Sequence, residues 1–190
     1  MISIIVKVDS NNLIWDSTRN CMPWEGLVLD QQIKHANKAD MQRFVQLRKG
    51  QKPDTHPDIV IMWRKTRESI PAKYRPFTQN INYIISRNTS LDLWDPKGEE
   101  VQAFNSIESC LIHIAQHYPD RDVHVVGGWQ IYQYVLEHDL VDRIELTVLD
   151  AEFDGDVYFP PLGDQRIETE KKHWEWYSFI TYNKTKKLSC

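Results

Sequence analysis

Four places in this sequence carry residue types at spacings that suit chemistry. The first is Gly127-Gly128, between a short apolar run (Val123, Val125, Val126) and a stretch with Ile131, Tyr134 and Val135 at helical spacing. Paired glycines between a strand and a helix let the backbone approach a ligand, with N–H groups of the helix start facing it. Such a junction suits a diphosphate, and it equally suits a tight turn that holds nothing. No glycine follows at the third site, so this is not the G-x-G-x-x-G dinucleotide fingerprint. The second place is Asp40, on the same helical stripe as Phe44 and Leu47, with Met41 and Val45 beside it. An acid there either has a partner or a task in an apolar slot, or caps the helix from its first position. The third is a set of cations at strand ends: Arg64-Lys65 before Thr66, and Arg87 after Ser86. Thr66 can cap a short helix, and two cations beside a helix start suit a phosphate, though solvent accommodates them as well. The fourth is Lys7, which breaks an apolar strand on the face of Ile5, so that face reaches a cleft or the lysine is paired.

These residues need elements to position them. Apolar runs at Ile2–Val8, Asp58–Met62, Ile81–Ser86, Val101–Phe104, Val123–Val126 and Ile144–Val148 read as strands covered on both faces. Helical patterns fall between them. One spans Leu27 to Leu47, in one or two pieces around His35–Lys38, and stops at Gly50. A short helix follows Thr66 and ends at Pro71. Another is capped by Ser106, with Ile107, Cys110, Leu111 and Ile114 on its apolar face. Asp9–Asn12 is a turn, and Trp15–Trp24 is a loop too polar and irregular to be core. Pro53–Pro57, Lys73–Gln79, Leu91–Gly98 and Phe153–Leu162 are loops. Two polar-alternating strands near Arg166–Lys171 and Trp174–Tyr182 form an antiparallel edge. Strands alternating with helices imply an α/β fold with a mostly parallel sheet and right-handed crossovers. Ligands of such sheets sit outside the carboxyl ends of the strands, where Thr66, Arg87 and Gly127-Gly128 all fall.

Composition narrows the classes. The chain has 190 residues and a net charge of −4, so it is read as one domain, 1–190, with no electrostatic case for nucleic acid or an anionic membrane. No apolar run is long enough to span a bilayer, and Met1-Ile2-Ser3 leads into a strand rather than a leader. Three cysteines, Cys21, Cys110 and Cys190, are too few and too far apart for a disulfide framework or a zinc site. The expectation is a cytoplasmic protein with no metal.

In order along the chain, several blocks resemble the dihydrofolate reductases. They are Met22-Pro23-Trp24, Ala39-Asp40-Met41 with Phe44, Ile59 to Met62 with Arg64-Lys65-Thr66, and Glu68-Ser69-Ile70-Pro71. Arg75-Pro76-Phe77, Ile84 to Arg87, Val126-Gly127-Gly128 with Ile131-Tyr132, Leu146-Thr147 and Gly155 to Pro160 continue the match. The resemblance implies a sheet of about eight strands flanked by helices, and hydride transfer from NADPH to dihydrofolate by a monomer. It implies that Asp40 binds the pterin ring and assists protonation of N5 through water, supported by Thr147. Ile5, Phe44, Ser69, Ile70, Val126 and Tyr132 would complete the substrate pocket. Arg64, Lys65, Thr66, Ser86 and Arg87 would hold the adenosine phosphates, including the 2′-phosphate of NADPH. Gly127 and Gly128 would lie along the diphosphate across a cis peptide, with Gln130 and Ile131 following and Ile14, Met22 and Trp24 closing over nicotinamide. Antifolate inhibitors are implied as further ligands. Asp40 fits the pattern better than Asp30, which lacks the matching Met and Phe downstream.

The departures from the family pattern fall on the site. Trp15, Trp63 and Trp129 stand where the family has glycine, Lys7 where it has a small apolar residue, and Asn80 where an arginine grips a carboxylate. Arg48 and Arg67 replace a threonine and an aromatic residue or leucine. Loss of that arginine should cost roughly 1.5–3 kcal/mol of charge-assisted hydrogen bonding. A Lys7 aimed at Asp40 would weaken the acid as a proton source. An alternative therefore stands beside the working reductase: an impaired or non-enzymatic relative whose cofactor groove Trp15, Trp63 and Trp129 fill.

Overall fold

A computed structural model describes residues 1–26, 31–49, 57–88 and 101–185. Its centre is β1 (Ile2–Val8), whose alternation of fully buried aliphatic residues on both faces demands neighbours on either side. Those neighbours are β6 (Val123–Val125) and β7 (Arg143–Leu149), both parallel to it. Beyond β6 come β3 (Ile59–Trp63), β4 (Ile81–Ile85) and β5 (Val101–Phe104), all parallel. On the other side, β10 (Tyr177–Lys184) runs antiparallel to β7 and pairs with β9 (Arg166–Trp174) at the edge. The eight-stranded order is β5-β4-β3-β6-β1-β7-β10-β9. The mostly parallel sheet and the antiparallel edge follow the sequence reading. A small second sheet pairs β2 (Leu13–Trp15) with β8 (Val157–Tyr158).

Helix α1 (Gln31–Lys49) crosses β1 and β7. It is continuous through His35–Lys38, because no glycine or proline interrupts it. Asp40 therefore sits in mid-helix, and the capping alternative is excluded. Met41, read as lying beside the apolar stripe, is 54% exposed. Residues 27–30, Gly50, most of the Pro53–Pro57 loop, the Leu91–Gly98 loop and Cys190 lie outside the described residues.

Helix α2 (Arg64–Ser69) starts at Trp63 without a side-chain cap. Thr66 lies inside it, where its carbonyl accepts the Ser69 hydroxyl at 2.8 Å, so Thr66 is not the cap. Within the Lys73–Gln79 stretch, Ala72–Tyr74 closes one 3-10 turn. Helix α3 (Ile107–His117) is capped as read: Ser109 N donates to Ser106 Oγ at 3.1 Å. Helix α4 (Trp129–Glu137) begins directly after Gly128.

The main core joins Ile4, Val6 and Val8 of β1 to Ile59 and Ile61 of β3, with Ile131 and Val135 of α4 above them. A second cluster corrects the reading of the Trp15–Trp24 loop. Trp24 is 3% exposed and packs with Ala36, Leu149, Tyr177 and the edge of Phe153. An irregular stretch can bury one large indole without any periodicity to announce it. No helix among the described residues is long and apolar enough to cross a membrane.

Candidate active site

The carboxyl ends of β4, β3 and β6, adjacent in the sheet, gather the residues expected at a phosphate-bearing ligand. From β3 come Arg64, Lys65 and Thr66 in the first turn of α2; from β4 come Ser86 and Arg87; from β6 come Val126, Gly127 and Gly128. Gly127 and Gly128 are joined by a cis peptide, with Gly127 at φ 123°. A Cβ on Gly127 would meet both Thr66 Cγ2 and Oγ1 at 3.3 Å and Tyr132 Oη at 3.4 Å. Glycine is thus required there by conformation and by space. Trp63 N donates to Gly127 O at 2.6 Å, which ties the start of α2 to the paired glycines. Arg64 pairs with Glu68 on the surface at 3.3 Å, Lys65 and Arg87 are exposed, and Ser86 is buried, its hydroxyl accepting from Asn88 N at 3.1 Å.

Across β6, the next strand is β1, and Asp40 reaches it from α1. Its Oδ2 lies 3.1 Å from Lys7 Nζ, with the two side chains 15% and 11% exposed. Lys7 also donates to Asn37 Oδ1 at 3.0 Å and stands 4.8 Å from the Trp24 ring centroid. Asn37, one helical turn before Asp40, was not singled out from the sequence, although its i−3 spacing puts it on the same face. Tyr132 donates its phenol to Ile5 O at 3.2 Å. Burial, and then the Asp40 charge, push that phenol well above the ordinary 10.0.

No hydrogen bond joins Thr147 to Asp40 among the described residues. The Thr147 hydroxyl accepts from Arg43 Nη1 at 3.4 Å, while Arg43 Nη2 donates to Glu145 Oε2 at 2.5 Å. Burial pulls Arg43 below the ordinary guanidinium value, with the Glu145 and Asp40 charges opposing. Glu145 also accepts from Arg143 and from the Thr181 hydroxyl. This buried group was missed, and its signal was Arg43, three residues after Asp40 on the same helical face.

Phe44, Ile70 and Val126 pack against Val60, Met62, Phe77 and Ile84, with the Phe44 and Phe77 rings edge to face at 5.3 Å. Ser69 lies beside Ile70 at the end of α2 and is half-buried. Arg48 is 7% exposed and donates to Asn80 Oδ1 at 2.5 Å and Thr78 O at 3.0 Å. Asn80 in return donates to Arg48 O at 2.7 Å, so the guanidinium next to this apolar cluster comes from α1 rather than from the position of Asn80. Ile14 and Met22 are half-buried against the two cores, Gln130 is exposed, and Ile131 is 2% exposed within the main core.

The three tryptophans differ in exposure. Trp63 is half-buried against the main core, and Trp15 is half-buried in β2. Trp129 is 40% exposed and lines a cavity of about 600 Å3 with Tyr158, Phe159 and Pro160. Among the described residues no group of three or more histidine, cysteine or acidic side chains could hold a metal.

The sequence profile described as dihydrofolate reductase matches residues 1–184. A dihydrofolate reductase of Pneumocystis carinii is 35% identical over 109 residues, 54% of this chain and 51% of that protein. One from Heliothis virescens is 28% identical over 130 residues, 68% of this chain and 70% of that protein. One from Schizosaccharomyces pombe is 30% identical over 191 residues, covering 94% of this chain but 40% of that longer protein. With a profile matched across nearly its whole length, on a fold that sets an acid and paired glycines at neighbouring strand ends, the chain belongs to the dihydrofolate reductase family.

Proposed function

We propose that this chain reduces 7,8-dihydrofolate to tetrahydrofolate with NADPH. The observation that carries the reading is the placement of Asp40. It is the acid on α1 that reaches the β1 side of the paired glycines, with the Phe44 wall on the same helix. The residues at the carboxyl ends of β3, β4 and β6 fit a nicotinamide dinucleotide: two glycines close against Thr66, one of them at positive φ, and cations where phosphates would lie. Arg64, Lys65, Thr66, Ser86 and Arg87 would hold the adenosine side, and Gly127 and Gly128 the diphosphate. When bound, NADPH supplies the hydride.

The chain's own residues supply the rest. Ile5, Phe44, Ser69, Ile70, Val126 and Tyr132 orient the pterin and benzoyl groups and keep water away from the reacting face. Asp40 holds the ring and assists delivery of a proton, through water, to N5. Met22 and Trp24 close the slot from the loop side, and Trp24 is already buried there.

Two observations bear on the impaired alternative. The exposure of Trp129 speaks against that indole filling the glycine junction, whereas the Lys7–Asp40 contact, which engages one carboxylate oxygen, favours impairment. The test is consumption of NADPH on adding dihydrofolate, together with thermal shifts for each ligand. Working enzyme gives turnover and a shift of about 2.7 kcal/mol at a hundredfold excess over Kd. Asp40→Asn should lower the rate on the order of 100-fold while the NADPH shift persists. No turnover and no shift with NADPH would establish the non-enzymatic alternative.

A further inference from the structure

Lys7 changes what the slot can read. A slot ending in a lone carboxylate offers two acceptor oxygens and a negative charge, which match the paired N–H donors of a cationic amidine-like edge. Here Lys7 Nζ occupies Asp40 Oδ2 at 3.1 Å and leaves the pair with no net charge. Asn37 holds the ammonium from the side at 3.0 Å, and the Trp24 ring backs it at 4.8 Å. The lysine is thus fixed by three contacts on α1 and the neighbouring loop. What the pair presents to a ligand is the Asp40 Oδ1 acceptor, which carries no ion pair, beside the Lys7 ammonium donor. Its complement is an N–H next to a C=O, a lactam edge, without charge.

We propose that Lys7 is a specificity-determining residue that sets the slot to read the lactam edge of an oxo-pterin, N3–H on Asp40 and the 4-oxo group on Lys7. The same residue rejects a protonated 2,4-diamino ring. That ring has no carbonyl for the ammonium, must share the carboxylate with Lys7, and brings a positive charge against it. The inference rests on the reductase reading and deepens it, because it names the edge by which the substrate ring is recognised.

The experiment compares two rings of matching size, a 2-amino-4-oxo dihydropterin and a 2,4-diaminopteridine below its pKa. Each is titrated calorimetrically in the presence of NADP+, which has no hydride to transfer, against the natural chain, Lys7→Met and Lys7→Ala. Lys7→Met keeps an unbranched stem against Trp24, so one variant retains the local packing. The natural chain should favour the oxo ring, and both substitutions should move the ratio of affinities toward the diamino ring by about tenfold or more. A ratio that neither substitution moves, with both rings binding, overturns the role of Lys7 and leaves the reductase reading intact. Absence of binding by either ring to all three proteins overturns the reductase reading, and this inference with it.

Discussion

Asp40 and Glu145 are two acids on neighbouring elements, and their surroundings assign them different work. Glu145 is 3% exposed and accepts from Arg43, Arg143 and the Thr181 hydroxyl, so it has no oxygen left for a ligand. Glu145→Ala leaves the buried Arg43 without its carboxylate and should destabilise the fold by roughly 3–5 kcal/mol, read as a lower denaturant midpoint. Asp40 has Lys7 on one oxygen, and its side chain is 15% exposed. At the glycine junction, Gly127→Ala would place a Cβ 3.3 Å from Thr66 at φ 123°. It should cost about 1–3 kcal/mol of stability and weaken NADPH binding, both measurable by thermal unfolding with and without the nucleotide. Chemistry of this kind was legible in part. Strand periodicity put Lys7 on the face of Ile5 and left its partner open, since nothing local says which helix covers that face.

At the scale of elements, local signals and long-range ones had different fates. Ser106 was readable as a cap because the signal lies within three residues of the helix start. Ser106→Ala should lower stability by about 1 kcal/mol, read in denaturant midpoints with turnover unchanged. The Trp15–Trp24 stretch is held by one acid of its own, Asp16, and by one from far along the chain, Asp156. Asp16 accepts from Arg19 Nε at 2.5 Å, and Asp156 accepts from the Ser17 hydroxyl and, at 2.7 Å, from Ser17 N. The Arg19 hydrogen bond holds Asp16, and the Ser17 hydroxyl holds Asp156, below the ordinary 3.8. With folded values depressed, the unfolded chain binds more protons on the acid side. The stabilisation is therefore complete above the ordinary value of 3.8 and is lost as pH falls through the folded values. Cleavage between residues 16 and 24 by an acid-active protease should rise in that window, earlier than in the rest of the chain. The tie between Ser17 and Asp156 left no mark in the sequence, because the two residues lie far apart along the chain.

For the whole molecule, the sheet order decides both the site and the behaviour of the edge. Strand β9 ends the sheet and is exposed along nearly all its length, with Glu168, Glu170, Lys171 and Lys172 on it. These charges discourage pairing with another chain's edge. Replacing Glu170 and Lys172 with valine should produce concentration-dependent association in sedimentation velocity, while the natural chain at the same concentration does not associate. The order also sets β4, β3, β6, β1 and β7 side by side, which brings the cations, the glycines and the acid into one row.

The sequence by itself determined the class of fold, the helix carrying Asp40 and the strand ends carrying Thr66, Arg87 and the paired glycines. Those follow from periodicity and from breakers acting over a few residues. Only the tertiary structure decided that Lys7 meets Asp40, that Arg43 goes to Glu145 and Thr147, that Trp24 is buried and that Trp129 faces a surface cavity. Each of these depends on which elements become neighbours and in what register, and charge pairing or burial between distant segments leaves no mark on the local pattern.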